Sequence, residues 1–421
     1  MKRKKRKRMN KFSALVFAVA IALTGPMGAA ANDDKQVAEF VEKITKLEGT
    51  TPAQWRILWT GDASTEATIS WSTAQKGAAH TVYYDTEPHG ADVSKYSFQQ
   101  ASQNNGLYAS TKRGRGMDAY YHHTIIKGLK PATTYHFVLK SDDSVSRPLH
   151  FITAPESGTD FSLIHGGDSR SGHLARCQMN SMISDMAAKD ASILGFIHGG
   201  DYIQKGNHRQ QWLLWMSQHE LTTTSEGRVL PLIQAIGNHD GGKTYYDVFN
   251  VGKGKPRWHT TTLGEHVAVV TLDTNAPGGG AQAEWMEGEF KRLRPKVKWL
   301  LANYHRPIYP AVKGPKRTGI FAPIFEKYDV DLACESDGHC IKRTVPIRKG
   351  KEDPTGVTYI GEGGLGVGQR DPKGDRWYLN NGVVGKGHHV MRLDFTDETL
   401  RIRTILLGGE VFDDHRLKAR Q

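Results

Sequence analysis

The second part of the chain repeats one pattern, in which a short apolar run ends at glycine and is followed by a polar residue. Residues 161–165 run into Gly166-Gly167-Asp168, and residues 193–198 run into Gly199-Gly200-Asp201. An apolar run that stops at two glycines is typical of a buried parallel strand entering a loop, and ligands of open α/β sheets bind at the carboxyl ends of such strands. The pattern predicts two strands whose ends present Asp168 and Asp201 to one site.

Later runs continue this pattern. A helix from about His173 to Lys189 is predicted between the first two strands, and a second helix from Gln210 to His219. Three further predicted strands then lead into polar groups, which are Gly237-Asn238-His239-Asp240, His305-Arg306-Pro307 and Asp337-Gly338-His339. One Gly-Asp pair after a strand is usually only a turn. Five strand ends between residues 161 and 339 predict instead that one rim of the sheets carries a set of ligands.

The first part of the chain has a different pattern of polar and apolar residues. From Gln54 to about Pro155, short β-rich runs alternate roughly with period two and are separated by Gly, Pro, Asp and Ser, which predicts a β-sandwich. Within it, His122 and His123 are interpreted as surface residues of the sandwich. The polar stretch between Tyr96 and Met117, which ends Lys112-Arg113-Gly114-Arg115-Gly116, is interpreted as a solvated loop.

The charge of the chain is concentrated at its N-terminus. The 421 residues carry a formal charge of +12, but eight cations lie within the first eleven residues, so the remainder carries +4. The apolar run Phe12 to Leu23 is too short to span a bilayer comfortably, and Ala29-Ala30-Ala31 suits a signal peptidase. We therefore expect a secreted or periplasmic protein without specific nucleic-acid binding, and without a membrane span once the signal is cleaved. The alternative is an uncleaved anchor or a basic nucleic-acid arm.

Four segments follow from these patterns. We expect a signal peptide over residues 1–31, a polar and partly helical lead-in over 32–51, the β-sandwich over 52–155, and an α/β domain over 156–415. Three cysteines permit at most one disulfide, and no spacing matches a zinc motif. The sequence leaves open whether Cys334 and Cys340 pair, and it leaves the oligomeric state open.

The polar groups at the strand ends indicate a metal-dependent reaction. Aspartate, asparagine and histidine ligands suit a pair of iron, manganese or zinc ions, whose exact identity the sequence leaves open. Two ions that share a carboxylate lower the pKa of a bridging water, and the resulting hydroxide can attack phosphorus. Asn238 is a candidate metal ligand and substrate contact, and His239 is a candidate acid for the leaving group. Asp240 is expected to orient the His239 ring and raise its pKa.

In order and spacing these motifs resemble the calcineurin-like metallophosphoesterases, and most closely the purple acid phosphatases. The resemblance extends over residues 52–415, because Gly128-Leu129-Lys130-Pro131-Ala132-Thr133-Thr134-Tyr135 is similar to a corner of fibronectin type III modules. It implies a fibronectin-like sandwich before an α/β/β/α metallophosphoesterase domain. It also implies that Asp168 binds a first metal, that Asp201 bridges, and that Asn238 and His305 bind a second metal, with His239 as the acid.

The chain departs from the purple enzymes at three places. Gln204 stands where their tyrosine ligand is found, so we expect no ferric charge-transfer colour. Arg170 follows Asp168 closely and is a candidate phosphate contact, while His173 could supply a nitrogen ligand or simply begin a helix. In the register preferred from Arg343-Thr344, Asp337 replaces the first of two histidines of the family and His339 takes the place of the second, and both are expected to bind metal.

The leading hypothesis is an exported binuclear-metal hydrolase of phosphate monoesters, acting on a small phosphorylated substrate. A phosphodiesterase or nucleotide-specific enzyme is the alternative, because loops 203–228 and 310–320 would select the substrate. Lys313, Lys316 and Arg317 in the second loop would meet additional phosphates or stay solvated. A binding protein that has lost its metals is the third hypothesis.

Overall fold

The computed structural model describes residues 30–110, 117–158, 160–314, 317–373 and 375–420. The expected signal segment up to residue 29, the basic stretch from Lys112 to Gly116 and Lys316 lie outside these residues. The helices of the described chain are α1 (Ala30–Lys43), α2 (His173–Lys189), α3 (Arg209–His219), α4 (Lys243–Val248), α5 (Ala281–Leu293) and α6 (Ala322–Lys327).

More of the described residues lie in β-strands than in α-helices. The strands are β1 (Ala53–Leu58), β2 (Glu66–Thr73), β3 (His80–Asp85), β4 (Phe98–Ala101), β5 (Asn104–Leu107), β6 (Tyr120–Lys127), β7 (Thr134–Ser141), β8 (Ser144–Val145), β9 (Leu149–Ile152), β10 (Phe161–Gly166), β11 (Ile193–His198), β12 (Leu232–Gln234), β13 (His259–Leu263), β14 (Val267–Thr271), β15 (Trp299–Asn303), β16 (Leu332–Cys334), β17 (Ile341–Arg343), β18 (Ile347–Arg348), β19 (Lys351–Glu352), β20 (Thr358–Gly361), β21 (Val383–Gly385), β22 (His389–Phe395), β23 (Thr399–Leu406) and β24 (Val411–Lys418).

The βαβ unit predicted between the two Gly-Asp motifs is present. β10 and β11 pair in parallel, and α2 connects them with the predicted bounds. Both strands are buried along their whole length, as expected for parallel strands that are covered on both faces. The unit therefore carries Asp168 and Asp201 to the same edge of the sheet.

Two sheets stack to form the α/β part. The first contains β10, β11 and β12, and the second runs in the order β13-β14-β15-β16-β20-β17-β21. One apolar cluster fills the space between the sheets, with Leu163 and Ile197 from the first and Leu301 and Ile360 from the second. Two further clusters bury the outer faces, one under α2 and α3 and the other under α5 and α6. The predicted class, a strand-rich N-terminal part followed by a mixed α/β part, is confirmed.

The first sheet does not stop at the expected domain boundary. It has ten strands in the order β24-β23-β22-β10-β11-β12-β1-β2-β6-β5. β1 joins the two parts, because it pairs in parallel with β12 through Leu58 and Leu232 and antiparallel with β2. The N-terminal strands thus extend the sheet that carries the site. Alternation of polar and apolar residues predicts strands but not their neighbours, so this continuity was not predicted.

The N-terminal part contains a second sheet of five strands, in which β4, β3, β7 and β8 follow one another and β9 pairs with β7.

Two interpretations of this region were wrong. The stretch after Tyr96 contains β4 and β5 and is not simply a loop. His122 and His123 are buried rather than exposed, because both lie in β6 inside the shared sheet. His123 lies 2.8 Å from the carbonyl oxygen of Asp247 through Nε2, and His122 contacts Thr73 and Asn105.

The lead-in is a packed helix. α1 buries Val37 and Phe40 against Cys177 of α2 and Leu221. A hydrogen bond also fixes the loop after α1, because the backbone nitrogen of Thr45 donates to Glu220 at 2.9 Å.

Cys177, Cys334 and Cys340 are all buried free thiols, which answers the pairing question left by the sequence. Among the described helices, none is long and apolar enough to cross a membrane.

Candidate metal centre

The strand ends of both sheets meet at one site. Asp168, Asp201 and Asn238 follow β10, β11 and β12 of the first sheet, while His305 and Asp337 follow β15 and β16 of the second. Backbone hydrogen bonds join the loops directly. Asp168 donates its backbone N–H to the carbonyl oxygen of Gly200 at 2.9 Å, and Ser336 donates to that of His305 at 2.9 Å. The convergence expected from the sequence pattern is therefore observed for these residues.

Small residues allow the two sheets to approach this closely. A Cβ atom on Gly167 or Gly199 would lie 2.2 or 2.1 Å from the hydroxyl oxygen of Ser336 in the opposite sheet. Such a distance is far inside van der Waals contact, so a side chain at either glycine would require Ser336 to move. The glycines of the repeated Gly-Gly-Asp motif thus set the spacing across which Asp168 and Asp201 face the second sheet.

Four candidate ligands have left-handed backbone conformations. The φ angles are +57° at Asp168, +58° at Asp201, +70° at Asp337 and +64° at His339. A non-glycine residue in this region is uncommon, and such conformations cluster at active sites and ligand clamps. Each costs about 1–3 kcal/mol, which the surrounding contacts have to offset. Strain at four residues of one rim therefore indicates, independently of the side-chain contacts, that the surrounding structure fixes the direction of these side chains.

Asp168 and His339 form the first group of possible ligands with Asp201. Oδ2 of Asp168 accepts from the backbone nitrogen of Asp337 at 2.8 Å, which fixes the carboxylate. Its Oδ1 lies 3.3 Å from Nε2 of His339. Both of these atoms, and Oδ2 of Asp201, are buried and form no hydrogen bond with the described residues. Buried polar atoms without a partner are rare in native proteins, so they mark a place for an additional group.

His305 lies at the centre of the second group. Its Nδ1 lies 2.9 Å from the carbonyl oxygen of Gly199, to which the ring donates, and this directs Nε2 into the site. Three oxygens surround Nε2, at 3.2 Å from Asn238, 3.3 Å from Asp201 and 3.6 Å from Asp337. One nitrogen among three oxygen acceptors requires a positive charge between them, which is either a proton on the ring or a metal ion.

These residues fit a metal centre. Ligand atoms of Asp168, Asp201 and His305 all lie within 4.8 Å of one another. Carboxylate, amide and imidazole donors without thiolates suit iron, manganese or zinc. Asp201 belongs to both groups, because one of its oxygens faces His305 and the other has no hydrogen-bond partner among the described residues. A carboxylate in this position can be shared by two ions.

The electrostatics of the site keep Asp201 and Asp337 ionised. Burial alone would raise the pKa of both, but contacts with His305, together with His239 at Asp201 and Lys313 at Asp337, lower both, that of Asp201 to about 2. Burial likewise lowers the pKa of His305, yet the Asp201 carboxylate raises it well above its ordinary value. Without metal, the ring therefore carries the proton that balances the carboxylates.

Two basic side chains flank the ligands. Nε of Arg170 lies 3.2 Å from Oδ2 of Asp201, and Lys313 forms an ion pair with Asp337. The Arg170 side chain is 13 % exposed, so it reaches the site from the solvent side. The sequence marked Lys313 as a residue that would meet additional phosphates or stay solvated, so its ion pair with Asp337 was not predicted. His173 does not join the ligands, because its Nδ1 lies 3.0 Å from Nη2 of Arg176.

His239 stands at the open side of the site. Its Nε2 lies 4.0 Å from Oδ2 of Asp201, and the His239 side chain is 29 % exposed. Its Nδ1 lies 3.0 Å from the carbonyl oxygen of Gln204, to which the ring donates. Gln204 also contacts Arg170 through its side-chain oxygen. Gln204, noted in the sequence only for the tyrosine it replaces, thus orients both groups.

Asp240 does not orient the His239 ring, which corrects the expectation from sequence. It is fully buried and accepts from the backbone nitrogens of Asp201, Gly237 and Tyr202 at 2.7, 2.7 and 2.9 Å. The carboxylate therefore holds the Asp201 loop against the Asn238 loop. Adjacent residues point their side chains to different sides of a turn, so proximity in sequence does not give contact between the two side chains.

Comparison with known proteins identifies both parts of the chain. Residues 52–153 match the family model of the purple acid phosphatase N-terminal domain, and residues 164–340 match that of the calcineurin-like phosphoesterases. Two uncharacterized proteins of Mycobacterium tuberculosis are each 21% identical over 336 residues, which is 68% of this chain. The match spans 61% of the length of these relatives.

Solved structures show the same fold. The purple acid phosphatase PPD1 from yellow lupin (Lupinus luteus) seeds has a TM-score of 0.74 at 17% identity, covering 88% of this chain and 74% of that one. PhoD has a TM-score of 0.63 at 9% identity, covering 88% of this chain and 90% of that one. At these identities the likeness establishes the fold and not the substrate.

Proposed function

Because the chain belongs to the calcineurin-like metallophosphoesterases and carries the purple acid phosphatase N-terminal domain before them, we propose that it is an exported phosphatase that uses two metal ions to hydrolyse phosphate monoesters. One observation supports this most strongly. Buried ligand atoms of Asp168, Asp201 and His339 that lack hydrogen-bond partners face the same rim as His305.

Two ligand groups share one carboxylate. The first ion would be held by Asp168, Asp201 and His339, and the second by Asp201, Asn238, His305 and Asp337. When bound, such ions polarise phosphoryl oxygens and lower the pKa of a coordinated water. The Asp240 side chain accepts from the backbone nitrogen of Asp201, and the backbone nitrogen of Asp337 donates to Asp168, so these two ligands are pre-oriented. Second-shell contacts of this kind tune metal affinity.

The remaining residues of the site act on the substrate. Arg170 reaches the rim from solvent, and its planar guanidinium suits two oxygens of a phosphate group. His239 presents Nε2 to the open side while Gln204 holds Nδ1, so a proton on Nε2 can pass to the oxygen of the leaving alcohol. Asn238 contributes its side-chain oxygen to the second ligand group and lies beside the place where a phosphate would sit.

Hydrolysis of a panel of monoesters and diesters tests this proposal. The panel contains aryl and alkyl phosphates, a nucleoside monophosphate and matched diesters, assayed with the wild-type protein and Asp201→Asn. The amide is nearly the same size as the carboxylate but carries no charge, so it should lose monoester hydrolysis and at least one metal ion. A diester turned over faster than its monoester would favour the phosphodiesterase alternative. A variant that keeps full hydrolysis would refute the two-metal proposal.

A further inference from the structure

Three charged side chains are buried directly behind the metal centre. Lys342, Glu335 and Glu362 have no exposed side-chain surface. Nζ of Lys342 forms an ion pair with Glu335, lies 2.9 Å from Oε1 of Glu362, and donates to the carbonyl oxygen of Tyr309 at 2.9 Å. Burying charges is costly even when they are paired, so such a cluster needs a compensating role. The proposed reaction uses none of the three.

Glu335 fixes the segment that contains His305. Its Oε1 accepts a hydrogen bond from the hydroxyl of Tyr304 at 2.6 Å and from the backbone nitrogen of Ile308 at 2.6 Å. These donors lie one residue before and three residues after His305. The other oxygen of Glu335 contacts Lys342. One carboxylate therefore connects both sides of the His305 segment to the buried ammonium group.

Glu362 fixes the turn that contains His339. Its backbone carbonyl accepts from the nitrogen of His339 at 2.7 Å, and its own backbone nitrogen donates to Cys340 at 2.8 Å. Its side-chain Oε1 accepts from the backbone nitrogen of Ala311 at 2.7 Å. The same residue thus joins the His339 turn to the loop that follows His305.

The turn itself leaves no free space above this cluster. A Cβ atom on Gly338, between Asp337 and His339, would lie 1.5 Å from Oε2 of Glu362. Glycine is therefore required for the turn to pack against the carboxylate. Both candidate ligands of this turn are held in left-handed conformations, which need such support from their surroundings.

We infer that Lys342 is a positioning residue for the metal centre, because its ammonium group joins Glu335 and Glu362 and so holds the His305 segment and the Asp337–His339 turn at a fixed separation. This rests on the proposed function only in that these residues bind metal. Mutation of a residue that supports a metal ligand commonly changes metal affinity about 10–100-fold. Asp168 and Asp201 follow strands of the other sheet, and Asp168 meets this assembly only through the backbone nitrogen of Asp337, not through the three charged side chains.

We call the contacts of Lys342 with Glu335 and Glu362 the clamp. A pair of tyrosine substitutions tests it. Tyr304→Phe removes the hydroxyl that donates to Glu335. Tyr359→Phe removes a hydroxyl that is equally buried but has no hydrogen-bond partner in the described chain. Both rings remain in the same apolar cluster. Lys342→Met is a stronger variant of the same test, and Tyr304→Phe decides the question if Lys342→Met does not fold.

Hydrogen exchange of the metal-free protein gives a readout that is independent of activity. In Tyr304→Phe, the backbone amides of the non-proline residues of 305–311 and those of 335–340 should exchange about tenfold faster, while those of 166–170 and 199–203 keep the wild-type rate. Tyr359→Phe should match the wild type in all four segments. Wild-type exchange in both clamp segments of Tyr304→Phe, or equal acceleration across the whole domain, would overturn the inference.

A metal titration against a competing chelator completes the test. Tyr304→Phe should bind zinc about tenfold more weakly than the wild type, and Tyr359→Phe with unchanged affinity. Zinc affinity of Tyr304→Phe equal to that of the wild type would count against the positioning role. If the wild-type protein binds no metal, the proposed function fails, whereas the exchange experiment still decides whether the clamp exists.

Discussion

The carbonyl oxygen of Gln204 lies 3.0 Å from Nδ1 of His239, at the position where purple enzymes carry a tyrosine ligand. The same residue contacts Arg170 with its side chain. Gln204 therefore orients the proposed acid through its backbone and the proposed phosphate contact through its side chain. The chemistry on the substrate side of the site depends on this loop, while metal binding depends on the strand ends.

Replacing the proposed acid should affect poor leaving groups most. His239→Ala should lower kcat on an alkyl phosphate by about 10²–10⁴-fold, because an alkoxide needs a proton as it departs. The loss on nitrophenyl phosphate should be much smaller, since that leaving group is stable as an anion. Metal content should stay at the wild-type value. His208→Ala, at the residue before α3, serves as the control, and equal losses on both substrates would contradict the acid role.

Replacing the guanidinium should weaken substrate binding. Arg170→Met should raise KM for a monoester about 10–100-fold, the value of one or two hydrogen bonds to a charged group, with a smaller change in kcat. Arg292→Met removes an exposed arginine of α5 that pairs with Glu289 and should change neither constant. Steady-state kinetics with metal analysis would check this, and an unchanged KM would show that Arg170 does not contact the phosphate.

Iron loading should give no strong visible band. A charge-transfer band requires a phenolate on ferric iron, and Tyr202 stacks on His198 with ring centroids 4.0 Å apart in the buried core. No tyrosine belongs to either proposed ligand group, so visible absorbance should stay at the level of the apoprotein. Gln204→Tyr loaded with iron is the comparison. An intense band in the iron-loaded wild type would show that a tyrosine binds the metal.

The stability of the N-terminal helix packing should depend on pH through Glu220. Burial raises the pKa of this carboxyl to about 7 from an ordinary value of 4.5. The folded state therefore takes up a proton, and the contribution of Glu220 to stability falls as pH rises from 4.5 to 7 and is constant above that. The unfolding free energy of the wild type relative to Glu220→Gln should fall by roughly 3 kcal/mol over this range.

Chemical denaturation at several pH values measures this difference. Glu226→Gln, at an exposed carboxylate in the next loop, is the control: the hydrogen bond from Ser225 lowers the pKa of Glu226, so this difference should not fall as pH rises from 4.5 to 7. A difference between the wild type and Glu220→Gln that stays constant from pH 4.5 to 7 would mean that Glu220 is ionised in the folded protein.

The strand ends could be predicted from sequence because each is marked locally. Apolar runs that stop at Gly-Gly-Asp or Gly-Asn-His identify both the strand and the residue that faces the site, and parallel pairing then brings them together. This is why the sequence alone placed Asp168, Asp201 and Asn238 at one rim. The layer order followed from the same alternation of strands and helices.

Contacts between distant segments could not be predicted in this way. Asp240 was assigned to its neighbour His239, whereas it accepts from the backbone of Asp201 and Tyr202, some forty residues earlier. Lys342 stands in the sequence Ile341-Lys342-Arg343, which suggests an exposed strand, and only the carboxylates of Glu335 and Glu362 explain its burial. The partners of a buried charge are set by tertiary packing, which the local pattern does not contain.

Metal stoichiometry tests the central claim most directly. Purified mature protein, loaded in turn with zinc, manganese and iron and then freed of excess ions, would be analysed for bound metal. We expect two ions per chain in the wild type with at least one of these metals, and one or none in Asp201→Asn, because Asp201 belongs to both ligand groups. Fewer than one tightly bound ion per chain under every loading condition would contradict a two-metal centre.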